Sequence, residues 1–498
     1  MDEIVQGQGI TGAEEQAGAP TGFARRVMTA VLWRSGSQFA AQMVMWSATF
    51  FVIRLLQPAD YGLFAMTQSI LVLLNLLCGY GFASALIQAE ELDQRKVRQV
   101  FGLLLLLNGT IAAAQVLAAP LAAAYFRQPM VTQMLRVQAL IYLATPFTAL
   151  PSALLARRMD FRREAQVNFA SAIAGAVTAL LCALGGAGVW TLVAAPIALF
   201  WTRAIGMTIA ARALVWPSFR FRDMGGTWAF GGAMILSQFL WFVQTQADVA
   251  IGGRSLDPHD LGLYTTSLFL AQIITSKFIP PLNDVAFSAY ARIQNDRAAV
   301  AYGFLKAARI VMLIAAPFCL GLAATAEPMI LTVLGAKWAG AVPLVRIVAL
   351  AMPALAMQIL FSPAATALGQ PGVQVKVSAC GAVIMPCAFL IGILTQGGGV
   401  GLATAWAWGA PLLMLATAAL AMPVIGIRPA GLMRAVAPGL GAAMAMAMVV
   451  AAVDRSFDLG AAFPRLATLV VIGAAVYAGL VLLFARGTVL DAMRLLRR

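Results

Sequence analysis

The run VFGLLLLLNGTIAAAQVLAAPLAAAY, residues 100 to 125, contains no Asp, Glu, Lys or Arg. A helix of about 20 such residues crosses the hydrocarbon core of a bilayer, which is roughly 30 Å thick. Backbone groups in lipid have no water to bond, so a run of this length is expected to form a helix that pairs its own N–H and C=O groups. The run therefore predicts a membrane-spanning α-helix.

Similar apolar runs recur along most of the 498 residues, of which 61% are hydrophobic and 11% are charged. A soluble globular chain carries about 25% charged residues, so this composition predicts an all-α polytopic membrane protein. Reading the runs against Gly, Pro and charge clusters gives fourteen expected transmembrane helices, which begin near Trp33, Gly62, Val100, Leu135, Gln166, Val189, Trp228, Leu261, Gly303, Ala341, Val373, Val400, Gly431 and Leu466.

The formal net charge of +14 comes from Lys and Arg scattered among short loops, which indicates contact with anionic lipid and does not predict nucleic-acid binding. Most of the 34 basic residues fall in one set of alternate loops and tails. The other set holds only Arg54, Arg127, Arg136, Arg254, Lys337, Arg346, Arg455 and Arg465. Because Lys and Arg are retained in the cytoplasm, both termini are predicted to be cytoplasmic.

An internal repeat relates the two halves of the chain. Residues 37–64 align without gaps with residues 237–264, and both copies contain the pattern R-x-L-x-P-x-D-x-G-L. Six predicted helices separate the copies, so both have the same orientation, as in the parallel repeats of transporters. The pattern is also ordinary turn chemistry, in which proline fixes φ and aspartate caps the next helix.

The repeat predicts two pseudo-symmetric six-helix lobes, residues 25–222 and residues 223–425. Residues 426–498 add two C-terminal helices and a basic cytoplasmic C-terminus, and residues 1–24 are expected to be a disordered cytoplasmic tail. Between the spans no loop is long enough for a catalytic domain, and the five cysteines show no CxxC or Cys/His spacing. The sequence therefore predicts no catalytic residue, no metal site and no cofactor.

Five segments carry a family resemblance: LQPADYGL (56–63), LLARRMDFR (154–162), GVWTLV (188–193), LGLY (261–264) and LGAKW (334–338). With these, the chain resembles the polysaccharide-exporting branch of the multidrug/oligosaccharidyl-lipid/polysaccharide exporter superfamily, which includes Wzx-like exporters of the colanic-acid type. The resemblance extends over roughly residues 25 to 425. The strongly cationic cavity usual in that branch is only thinly represented here.

The resemblance implies two helix bundles facing a cavity and a substrate of undecaprenyl diphosphate carrying an oligosaccharide repeat unit. It implies flipping from the cytoplasmic to the periplasmic leaflet of a bacterial inner membrane, for exopolysaccharide, capsule or lipopolysaccharide biosynthesis. Polysaccharide polymerase and co-polymerase proteins are the implied partners, together with membrane lipid.

Polar side chains inside the predicted spans are the candidates for contact with such a substrate. The candidates on one face of the first span are Arg34, Gln38, Gln42 and Trp46; those in the seventh span are Gln238, Trp241, Thr245 and Asp248; those in the sixth and eighth spans are Arg203, Lys277 and Asp284.

Structural alternatives stay open for these candidates. Arg34 and Arg203 can extend to lipid headgroups, and glutamines can bond neighbouring helices. Lys277 can pair with Asp284 along a helix kinked by the two prolines between them. Asp248 needs a partner, a protonation role or an interfacial position, since a carboxylate at mid-membrane costs about 3 kcal/mol.

Two alternative functions also stay open. A cation-coupled drug exporter of the same superfamily would have an acidic cavity and usually twelve spans. A membrane polysaccharide polymerase or ligase would carry a sizeable periplasmic loop. The sequence contains no G-x-x-x-x-G-K-[ST] phosphate loop, so the expected energy source is an ion gradient or downstream consumption of the product.

Overall fold

The computed structural model describes residues 36, 40–75, 94–158, 160–213, 215–219, 228–457 and 460–484. Every regular element within these ranges is helical. The helices of the first half are α1 (Ala40–Leu55), α2 (Pro58–Asn75), α3 (Gln94–Phe126), α4 (Met130–Gln138), α5 (Leu140–Ala144), α6 (Pro146–Arg157), α7 (Phe161–Leu184) and α8 (Trp190–Ala211).

The second half continues in the same way. Its helices are α9 (Trp228–Ser255), α10 (Pro258–Ala271), α11 (Ile279–Arg292), α12 (Arg297–Ala324), α13 (Ala326–Val333), α14 (Ala341–Ala367), α15 (Gly372–Gln396), α16 (Gly398–Ile425), α17 (Pro429–Ser456) and α18 (Ala462–Phe484). A π-helical turn, Ile274–Phe278, joins α10 to α11, and a 3₁₀ turn, Ala336–Trp338, precedes α14.

Ten helical segments of the described chain are long and apolar enough to cross a membrane. They include Gln94–Phe126, which contains the run that predicted the fold. Trp33, the first predicted start, lies outside the described residues, and every later one lies inside a helix or directly before it. The all-helical multi-pass fold is therefore confirmed, whereas the count of fourteen spans stays a prediction.

Aspartate caps the helix after the turn in both copies of the repeat, but in the second copy a different aspartate from the predicted one forms the cap. In the first copy, the carboxylate of Asp60 accepts a hydrogen bond from the Gln57 N–H at 3.0 Å and so caps α2. In the second copy, the residue directly before the helix is Asp257, and its carboxylate accepts a hydrogen bond from the Asp260 N–H at 2.8 Å. The cap on α10 thus belongs to Asp257 and not, as expected, to Asp260.

The eighth predicted span is not one continuous α-helix. Its π-helical turn lies directly before Pro280 and Pro281, which lack the N–H groups that an α-helical ladder would need there. Lys277 lies within this turn and Asp284 lies in α11, so the two residues belong to different helical elements. Both side chains are exposed, and the structure records no ion pair between these two described residues.

The helices α7 and α8, and likewise α15 and α16, form antiparallel hairpins. Their tight turns contain glycines with positive φ, 72° at Gly186 and 67° at Gly397, a conformation that side chains disfavour. The buried helix α14 packs against α10, α12 and α16. On the outside, α17 packs on α12, and Arg465 of α18 bonds Asp454 of α17 at 2.6 Å and Glu327 of α13 at 3.1 Å.

Candidate transport cavity

The two copies of the repeat meet where α2 and α10 begin. At Gly62 an added Cβ would overlap the backbone carbonyl of Pro258, and at Gly262 it would overlap the carbonyl of Pro58. The first turns of the two helices therefore cross with their backbones in direct contact. Only glycine permits so close an approach. We call this contact the α2/α10 crossing.

The repeated arginines reinforce the α2/α10 crossing reciprocally. Arg54 of α1 donates from Nη1 to the carbonyl of Thr332 in the last turn of α13, at 3.2 Å. Arg254 of α9 donates from Nη1 to the carbonyl of Tyr125 in the last turn of α3, at 2.6 Å. Carbonyls in the last turn of a helix lack intrahelical partners and carry the negative end of its dipole. Each arginine thus joins its own half of the chain to the other half.

A second layer of bonds comes from the segment before α14. The indole N–H of the fully buried Trp338 donates to the carbonyl of Ile53 at 3.0 Å, and the ammonium of Lys337 donates to the carbonyl of Leu55 at 2.8 Å. The ring of Trp338 also packs edge-on against Tyr61, with centroids 5.6 Å apart. These contacts close the space between the two halves at this end.

A cavity of about 1020 Å³ lies between the two halves, next to the crossing. This volume is at the upper limit of the roughly 300 to 1000 Å³ that hold drug-sized ligands. Its walls come from some of the side chains within residues 45–53 of α1, 61–68 of α2, 175–179 of α7, 191–200 of α8, 241–249 of α9, 265–280 of the eighth predicted span, 355–359 of α14 and 406–413 of α16, and from Met385 of α15.

The polar groups of the described wall are mainly uncharged. Its carboxamides belong to Gln68, Gln244, Gln246, Gln272 and Gln358. The structure records no hydrogen bond from these five amides to any described protein group, and their polar atoms are not sealed from the cavity. Each amide therefore keeps two donors and an acceptor for a ligand.

The described wall contains a single carboxylate, Asp248, which is buried within α9. Its Oδ2 accepts a hydrogen bond from the Tyr264 hydroxyl at 2.8 Å, and that hydroxyl accepts one from the Trp406 indole N–H at 2.7 Å. Its Oδ1 accepts from the Val249 N–H at 2.7 Å. The structure thus supplies the partner that the sequence required, because a buried carboxylate is tolerated only when hydrogen bonds replace water.

This network breaks the symmetry of the repeat. The positions equivalent to Asp248 and Tyr264 in the first copy are Ala48 and Phe64, which cannot form the same bonds. Both equivalents still border the cavity. The two halves therefore share a backbone arrangement and differ in the chemistry that they present to the cavity.

The structure brings only part of the predicted site together. Trp241, Thr245 and Asp248 line the cavity. Arg34 and Gln38 lie outside the described residues. The remaining candidates are not wall residues: Gln42, Trp46, Arg203, Gln238, Lys277 and Asp284. Trp46 instead packs against Phe278, with ring centroids 6.4 Å apart.

Sequence reasoning missed the wall amides on α2 and α14 and in the eighth span, and the chain of hydrogen bonds from Trp406 through Tyr264 to Asp248. A lone glutamine in an apolar span is a usable signal, because an amide in lipid needs a partner. Gln68, Gln272 and Gln358 each fit that description. By contrast, nothing local marks Tyr264 as the partner of a buried carboxylate, or Trp406 as the donor to the Tyr264 hydroxyl.

Comparison with known proteins agrees with this architecture. The family model described as "Polysaccharide biosynthesis protein" matches residues 51–343. The succinoglycan biosynthesis transport protein ExoT of Rhizobium meliloti (strain 1021) is 26% identical over 354 residues, which cover 71% of this chain and 72% of ExoT.

Two solved structures share the fold. The chain is similar to the lipid II flippase MurJ in its inward closed conformation, with a TM-score of 0.71 at 13% identity over 92% of this chain and 100% of that one. It is also similar to a multidrug resistance MATE family transporter of the MOP superfamily, with a TM-score of 0.58 at 13% identity over 77% and 94% of the two chains. Because the family model covers more than half of the chain, this multi-pass membrane protein belongs to the polysaccharide biosynthesis protein family.

Proposed function

We propose that this protein flips an undecaprenyl-diphosphate-linked oligosaccharide repeat unit from the cytoplasmic to the periplasmic leaflet of a bacterial inner membrane. The observation that carries the proposal is the cavity of about 1020 Å³, closed at the α2/α10 crossing and walled by amides that bond none of the residues that the structure describes. The names of the similar proteins, a polysaccharide biosynthesis transport protein and a lipid flippase, support the same class of substrate.

The proposed mechanism is alternating access. The distribution of basic residues puts the crossing on the periplasmic side, so the described arrangement is closed to the periplasm. The oligosaccharide enters the cavity from the cytoplasm while the polyprenyl tail stays in the bilayer. The two lobes then rock, the crossing separates, and the same cavity opens outward. For the diphosphate we retain the sequence-derived cations Arg34, Arg203 and Lys277.

Deletion of the gene in its host tests the proposal directly. We expect loss of the surface polysaccharide and accumulation of undecaprenyl-diphosphate-linked repeat units on the cytoplasmic face, measured by mass spectrometry and by access of an added glycosidase in oriented vesicles. A plasmid copy should restore both. Unchanged polymer together with altered sensitivity to amphipathic drugs would instead support a drug exporter.

The orientation carries its own prediction. Reporter domains fused after residue 160 and after residue 187 are expected to report cytoplasmic and periplasmic locations, respectively, because Arg157, Arg158, Arg162 and Arg163 flank the first site. Alkaline phosphatase and green fluorescent protein give opposite readings at each site and control for expression. The reverse pattern would place the crossing on the cytoplasmic side and overturn the proposed direction.

A further inference from the structure

We infer that the head group carried by this cavity is an uncharged oligosaccharide, and that the cavity discriminates against repeat units containing acidic sugars. The inference rests on the proposed flippase function and specifies the substrate class of the same site. It comes from the charges of the wall, from the state of its amides, and from its aromatic surfaces.

The described wall of the cavity carries little charge. Among the wall residues that the structure describes, none is Lys or Arg, and the one carboxylate is that of Asp248. On α8 the wall ends at Phe200, and Arg203 lies one turn beyond it, half-buried. Lys277 is exposed and is not among the wall residues. A uronate or an acidic substituent on the glycan would therefore find no fixed counter-charge at this depth.

When the cavity is closed to both sides, the glycan loses its hydrogen bonds with bulk water and can replace them only with bonds to the wall. A carboxylate that loses its hydration without gaining a cation is strongly disfavoured. A hydroxyl loses far less, because a neutral amide can replace the bonds that it made with water.

The polar groups of the wall are complementary to those of a neutral sugar. The five wall amides offer both donors and acceptors, which match sugar hydroxyls that both donate and accept. The Trp241 side chain is 46% exposed, so an aromatic face is also available in the wall. Such a face carries a negative quadrupole, which favours contact with C–H groups and opposes contact with an anion.

The test uses two synthetic probes on an undecaprenyl diphosphate carrier: a trisaccharide of neutral hexoses, and the same trisaccharide with its middle hexose replaced by the corresponding hexuronic acid. The full-length protein is reconstituted in proteoliposomes, and transfer is followed by the exposure of each glycan to an added lectin. We expect the neutral probe to move about tenfold faster, since each buried charge must be compensated.

A variant with an added positive charge tests whether the missing counter-charge causes the difference between the two probes. Gln272→Lys puts a cation on the wall and is expected to raise transfer of the uronate probe about fivefold relative to the neutral probe. Gln68→Lys is the second variant if the first does not fold. Gln396→Lys is the matched control, because it adds the same charge at an exposed residue at the end of α15, outside the wall, and it should change neither rate.

The outcomes distinguish a failure of the neutral-glycan inference from a failure of the proposed flippase function. Equal transfer of both probes, or faster transfer of the uronate, would overturn the neutral-glycan inference and leave the flippase function intact. A Gln272→Lys variant that folds and leaves the ratio unchanged would also overturn it. Transfer of neither probe by a folded protein would overturn the proposed function, and the inference with it.

Discussion

Adding one methyl group at Gly262 is expected to lower transport about 100-fold. The new Cβ would overlap the carbonyl of Pro58, which cannot move away because its own helix packs against α10 along the crossing. Overpacking of this kind costs about 3 kcal/mol, which corresponds to a factor of about 100 between the closed and open arrangements of the crossing. Transport in a Gly262→Ala strain is measured as surface polymer, with membrane protein levels checked in parallel.

The matched control is Gly109→Ala in α3, where an added Cβ would meet nothing within 4 Å. It should behave like the unchanged protein. To separate a failed closure from misfolding, Thr49 on the cavity wall is replaced by cysteine in a background free of the five natural cysteines. A membrane-impermeant maleimide added from the periplasm should label Thr49→Cys only when Gly262→Ala is also present. Normal transport by Gly262→Ala would show that the crossing does not need to close.

Removing the hydroxyl of Tyr264 is expected to produce the second large effect. Tyr264→Phe deprives Asp248 of its bond at 2.8 Å and leaves the Trp406 indole N–H without its acceptor. A buried polar group left without a partner costs about 1 to 3 kcal/mol, and two such groups arise here. The purified variant should therefore unfold at a clearly lower temperature in detergent than the unchanged protein.

Tyr302→Phe is the control, because Tyr302 is 70% exposed and its hydroxyl makes no recorded bond to the described residues. A double-mutant cycle with Asp248→Leu isolates the coupling. If the two groups stabilise the protein through their mutual bond, the double variant should lose less stability than the sum of the single changes, by about 1 kcal/mol or more. Additive losses would show that Asp248 and Tyr264 act independently.

Much of the fold could be predicted from the sequence because the signals are local. A charge-free run such as residues 100–125 must pair its own backbone in lipid, whatever its neighbours are. The helix cap at Asp60 depends on residues three positions apart, and the left-handed turn at Gly186 depends on one residue. The repeat also indicated which segments are structurally equivalent.

The candidate site could be predicted only in part. Helical periodicity selected Trp241, Thr245 and Asp248, and these do line the cavity. The same reasoning selected Lys277 and Asp284 as one face of the eighth span, and neither of these described residues lines the cavity. Periodicity assumes a regular helix, and the two adjacent prolines remove that regularity.

The sequence by itself determined that the chain is helical, that it is built for a membrane, and that its two halves repeat one pattern. Only the tertiary structure decided which residues the repeated pattern brings into contact. Gly62 meets Pro258, Arg254 reaches Tyr125, and Asp248 bonds Tyr264, with partners separated by up to about 200 positions in the chain. The physical reason is that hydrophobicity and capping act between near neighbours, whereas these contacts depend on how distant helices cross.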